Sequence, residues 1–209
     1  MPGHFEPVPG GGASVALDDV EISILRSLAV QLLELIGPGT EPVEGEDPLA
    51  ALFAEGPSEP PSDPAVARLF PDAYRGPAAG KPDAKPDEKQ GGKPDEKLAE
   101  ASAEFRRFTE NDLRAHKRED ALAVVRALDS LTPGADGGAV LALSPGECVN
   151  WLRSLNDLRL TIGTRLEVSD EDESSGLYRL PDSDPRKPMV MAYLWLGVLQ
   201  ETLVETLMP

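Results

Sequence analysis

The chain has 209 residues, enough for one hydrophobic core, and its 37 acidic and 20 basic side chains give a formal charge of −17 that repels nucleic acid unless a local basic patch intervenes. Its single cysteine, Cys148, rules out an intrachain disulfide and with it the disulfide frameworks of small secreted domains, so a reducing cytoplasm is the expected setting. With only two tryptophans, three tyrosines and five phenylalanines, aliphatic side chains must do the packing, which favours helices over a β-sandwich.

In chain order, His4, Phe5, Glu6 and Pro7 lack the basic start and apolar run of a signal peptide. Two short segments flank Gly10-Gly11-Gly12, a pattern that fits a small β-hairpin or an extended arm, since glycine admits the positive φ of a tight turn. Asp18 and Glu21 form a capping box ahead of Ile22, Leu25, Leu28, Leu32 and Leu35 at helical spacing, and Gly37-Pro38 stops that helix. Asp47-Pro48 and Asp63-Pro64 each place a cap before a proline at the first helical position, predicting short helices through Leu52-Phe53 and Val66-Leu69-Phe70. Residues 76–97 contain near-copies of Lys-Pro-Asp without one large apolar side chain until the segment ends; nothing in them can offset ordering entropy, which predicts a disordered linker.

Helical sequence resumes at Leu98 and runs through Leu128, with a break or kink expected between Ala115 and Asp120, where the apolar stripe drifts. Val140 to Leu143 reads as a short strand or an extended connector. Ser144 and Glu147 cap a helix reaching about Thr164 that sets Asn156, Asp157, Arg159, Thr161, Thr164 and Arg165 among leucines. An acidic loop then leads to a last helix from Pro188 to Leu207, whose charge-free opening reads as a buried core helix too short to span a bilayer. The expected fold is mainly α: one helical domain whose N-terminal part, residues 1–75, and C-terminal part, residues 98–209, are joined by the linker.

The residues offer little catalytic chemistry. His4 and His116 are the only histidines, the glycine run lacks the lysine and hydroxyl of a phosphate loop, and no zinc or calcium ligand spacing occurs, so neither a metal nor a cofactor is expected and the chain reads as a non-enzyme. Cys148 lies one turn inside a capped helix, where the helix dipole lowers a thiol pKa; it is a redox candidate if exposed and an inert core thiol if not. Arg106, Arg107, Arg114, Lys117 and Arg118 fall within an arc of about 120° on one helix, a candidate surface for a protein partner or an ion-paired solvated face. Asn156 and Asp157, with Arg159 or Arg165, are candidates for a buried polar network.

Leu17-Asp18-Asp19-Val20-Glu21-Ile22, Glu104-Phe105-Arg106-Arg107-Phe108, Leu155-Asn156-Asp157-Leu158-Arg159-Leu160 and Met191-Ala192-Tyr193-Leu194-Trp195-Leu196 resemble an actinobacterial family of oxidation-sensing transcription regulators, long catalogued as a domain of unknown function. The resemblance covers nearly the whole chain outside the linker. It implies a protein that senses oxidants through cysteine chemistry and associates with an alternative sigma factor, while the acidic charge of the chain makes any direct DNA contact weak. One cysteine cannot form an intramolecular disulfide, so that family chemistry would need a second chain or a small thiol as the other half. The alternative is a structural or adaptor domain linked to protein turnover, with Cys148 in its core.

Overall fold

The computed structural model describes residues 3–38, 55–74, 93–134, 137–168 and 179–208. The helix expected at Pro48 and most of the linker lie outside these residues. Five helices and a three-stranded antiparallel sheet make up the described fold, in the order β1 (Glu6–Val8), β2 (Gly12–Leu17), α1 (Asp19–Ile36), α2 (Pro64–Leu69), α3 (Lys93–Asp129), β3 (Ala139–Leu143), α4 (Pro145–Arg165) and α5 (Lys187–Leu207).

The glycine run turns β1 into β2, with Gly10 and Gly11 at φ of 104° and 89°, a region costly for any side chain. Gly12 pairs with Val8, and a Cβ on it would sit 2.1 Å from the carbonyl oxygen of Leu143. The segment at Val140 is a true strand rather than a connector: β3 joins the other edge of β2 with Leu143 opposite Ala13 and Ala139 opposite Leu17. Five residues cannot announce a partner 120 positions away, which is why the hairpin alone was legible.

Among the described residues, the three helix starts that carry a capping signature form as expected. Asp18 and Ser144 each accept from the backbone three residues on while Glu21 and Glu147 return a bond, and Asp63 caps Pro64. α1 ends where Gly37, at φ 86°, donates to the Leu33 carbonyl. α3 departs from expectation twice. It begins at Lys93, inside the stretch read as linker, and it runs to Asp129 without a break at Ala115 to Asp120. The drift of the apolar stripe has another cause: Lys117 and Asp120 face the polar side chains of α4 there, so the helix stays regular while its contacts change from apolar to ionic.

α4 is the central element, packed by α2, α3 and α5 and beneath the sheet, and Trp151 in its second turn is 1% exposed. The ring of Phe5 meets Trp151 edge-on with centroids 6.1 Å apart. α4 and α5 approach closely where Gly163 faces the ring of Tyr193 and Gly197 lies under the guanidinium of Arg159. α5 is not buried all round, as its sequence suggested. Val190, Tyr193, Leu196, Leu199 and Leu203 face the core, whereas Met191 and Val198 stand exposed on the opposite side and Met189 is exposed in the first turn.

Candidate functional site

The basic residues of α3 turn mostly inward. Arg106, 5% exposed, donates to Glu110, to Asp72 at 2.7 Å and to the Phe70 carbonyl at 3.1 Å. Glu110 accepts on its other oxygen from Arg114, at 2.9 and 2.7 Å, so one buried carboxylate sits between two guanidiniums one helical turn to either side. Arg114 stacks over the Phe70 ring at 4.2 Å and reaches the Ile36 carbonyl at 2.5 Å, and Arg118 bonds the carbonyls of Gly37 and Leu33. The last turn of α1 carries no cation of its own, and these two arginines supply from α3 the positive charge that its dipole and orphan carbonyls favour. Lys117 pairs with Asp157 at 2.7 Å. Arg107 alone has a half-exposed head, 3.0 Å from Glu55. The arc read from the sequence is therefore a scaffold tying α1, α2 and α4 to α3, with Arg107 as its outward member.

The polar residues of α4 do not form one network. Asp157 takes Lys117 of α3 rather than Arg159 or Arg165, because it lies on the α3-facing side of its helix. Asn156, though exposed, also hydrogen-bonds the Asp157 carboxylate, whereas Arg159 bonds Gln200 at 2.7 Å and lies 5.2 Å over Tyr193, and Arg165 points to the surface. Burial holds the Asp157 carboxyl above its ordinary value, with Lys117 pulling the other way. Burial likewise raises Asp120; Arg153 opposes that shift and the Asp157 charge adds to it. An acid whose pKa is raised by folding binds its proton more tightly in the folded chain. Its contribution is complete below the unfolded value and is lost as pH climbs through the folded one. Wild-type stability, measured against an Asp157→Asn variant, should therefore fall as pH rises from about 4. The difference between their urea midpoints reads this out; a difference constant with pH would mean that folding does not raise the Asp157 pKa.

Cys148 lies where β2, β3 and α4 meet, 0% exposed, with its sulfur 4.0 Å from the Leu143 carbonyl. Burial pushes the thiol up, opposite to the lowering expected from the helix dipole, because loss of solvent outweighs the half-charge of a capped N-terminus. His4 and His116 are both exposed and far apart in the chain; His116 bonds only the Asp112 carbonyl. Among the described residues no group of three His, Cys, Asp or Glu side chains could hold a metal ion.

What the sequence did not single out is an apolar groove of about 750 Å³ between α1 and α5, floored by Leu158 and Ile162 of α4. α1 and α5 both rest on α4 and leave a trough between them. Ile24, Leu28 and Leu35 form one wall and Met191, Trp195 and Val198 the other. The signal was present in α5. A helix packed on one side normally turns charge outward, and this one offers methionine and valine to solvent instead.

The model of a family described as a domain of unknown function, DUF2017, matches residues 2–207. Among curated proteins, the oxidative stress regulator AosR of Mycobacterium tuberculosis is 30% identical over 194 residues, covering 90% of this chain and 78% of its own. The protein of that name from Mycobacterium bovis matches to the same extent. No solved structure matches the chain.

Proposed function

As the chain belongs to the DUF2017 family, of which these regulators are relatives, we propose that it is a non-enzymatic, cytoplasmic regulator of the oxidative stress response that works by holding a protein partner in the groove between α1 and α5. The observation that carries this reading is the groove itself: among the described residues it is a concave, apolar surface whose side chains have no packing partner on one side, while the strongly buried charges are engaged with one another. Methionine lining suits such a role, since its unbranched thioether adapts to the surface it meets. A component of the transcription machinery, an alternative sigma factor first, is the partner this reading expects.

Ile24 and Met191 are 39% and 54% exposed, so Ile24→Glu and Met191→Glu place a charge on the groove walls without entering the core. Both variants should keep wild-type helicity and melting while losing capture of the partner from cells by at least about tenfold, as expected when a charge enters an apolar contact. The matched control is Arg107→Glu, on the outward side of α3. Capture that survives both groove variants and fails in Arg107→Glu would move the docking surface to α3. Burial of Cys148 favours binding that does not run through its thiol, so Cys148→Ala should capture the same partner with or without peroxide.

A further inference from the structure

The groove has a direction. At one end the N-terminal arm brings its walls together: the Gly3 amide donates to Glu21 of α1 at 3.0 Å, and the Phe5 amide to Thr202 of α5 at 3.1 Å. Glu21 lines the groove there, and on α5 Glu201 and Glu205 follow Val198 by one and two turns. Leu35 stands fourteen residues, about 21 Å, further along α1. At that end α5 contributes Pro188 and Met189, and Arg165 of α4 is the charge on the lining. The helix pairing fixes this placement, since Gly163 faces Tyr193 and Arg159 bonds Gln200, which sets Arg165 beside the start of α5. The trough is therefore apolar along its floor and acidic at one mouth, while the lining of the other mouth carries a single cation, Arg165.

Resting on the reading that this groove holds a protein, we infer that its occupant is a single amphipathic helix of about four turns, the length of the trough, with an apolar face and lysine or arginine concentrated at one end. Length and shape fit one helix: two walls about a floor helix make a three-sided trough that a fourth helix completes. The charge pattern sets the polarity, because a basic end meets Glu21, Glu201 and Glu205 while its far end must avoid adding positive charge next to Arg165. A second copy of this chain fits poorly, since each copy carries a net −17.

The test uses the full chain with ¹³C-methyl methionine, so that Met189 and Met191 report on the groove, and helical peptides of about fourteen residues sharing one leucine face. Two carry their lysines at one end or the other, one carries the same lysines evenly spread, and one replaces them with glutamate. One of the two polarised peptides should bind about tenfold more tightly than the even one and move both methyl signals. Its advantage should shrink as salt rises and vanish in Met191→Glu. Equal binding of the polarised and even peptides, or equal binding of the glutamate peptide, would overturn the basic-ended helix. So would methyl shifts produced by a fatty acid but by none of the peptides, or shifts that grow with protein concentration alone, which would mark a small amphiphile or a second copy as the occupant. If no peptide binds while capture from cells still fails in Ile24→Glu and Met191→Glu, the helix is wrong and the protein-binding groove stands. If capture survives those variants, the groove reading falls with it.

Discussion

Replacing Glu110 with alanine should cost about 3–5 kcal/mol of folding stability, far more than an exposed ion pair contributes. The reason is what remains behind. The side chain of Arg106 is 4% exposed and its charge cannot reach water, so without Glu110 it is left with Asp72 and one carbonyl. Arg114, which bonds Glu110 through two nitrogens, loses the partner that aims its third nitrogen at the end of α1. Removing the charges together should hurt less: in Arg106→Leu with Glu110→Leu the most deeply buried pair goes as a unit, Arg114 alone is left without its carboxylate, and part of the loss should return. Urea unfolding of the single and double variants measures both. A loss below about 1 kcal/mol in Glu110→Ala would be the behaviour of a solvated pair and would contradict the burial of this triad.

The second large effect is kinetic. In the folded chain Cys148 should react with a thiol probe at least about a thousandfold more slowly than in urea, because with its sulfur sealed beneath the sheet and its pKa raised, attack must wait for the structure to open. The labelling rate should rise with denaturant along the same curve as global unfolding, and peroxide should leave the native thiol unmodified. Rapid labelling in buffer would place the sulfur at the surface and restore it as the redox group. The slow outcome assigns any response to oxidants to the partner or to some other component of the assembly.

Local chemistry was legible in the sequence, and encounters between distant segments were not. Asp18 with Glu21, Ser144 with Glu147, and Asp63 before Pro64 mark helix starts because the donors and acceptors of a cap lie within three residues of one another. The pairing of β3 with β2, by contrast, joins residues more than a hundred positions apart. The arginines of α3 were readable as one arc, since helical spacing is local, yet their direction was not. Whether an arc of cations faces solvent depends on the carbonyls of Ile36 and Gly37 and the carboxylate of Asp157 arriving from other helices. The groove was hidden for the same reason. Met189, Met191 and Val198 look like core in a charge-free helix, and only the separation of α1 from α5 shows that, among the described residues, one side has nothing packed on it.

The strand-like arm at the start of the chain has a mechanical corollary. Gly3 and Phe5 pin the two walls at the acidic mouth, and among the described residues no hydrogen bond or ion pair joins them at the Leu35 and Met189 end. Cutting the arm away would therefore remove the one direct tie between the walls and leave each held only through its neighbours, α1 by the Arg114 and Arg118 anchors of α3 and α5 by its packing on α4.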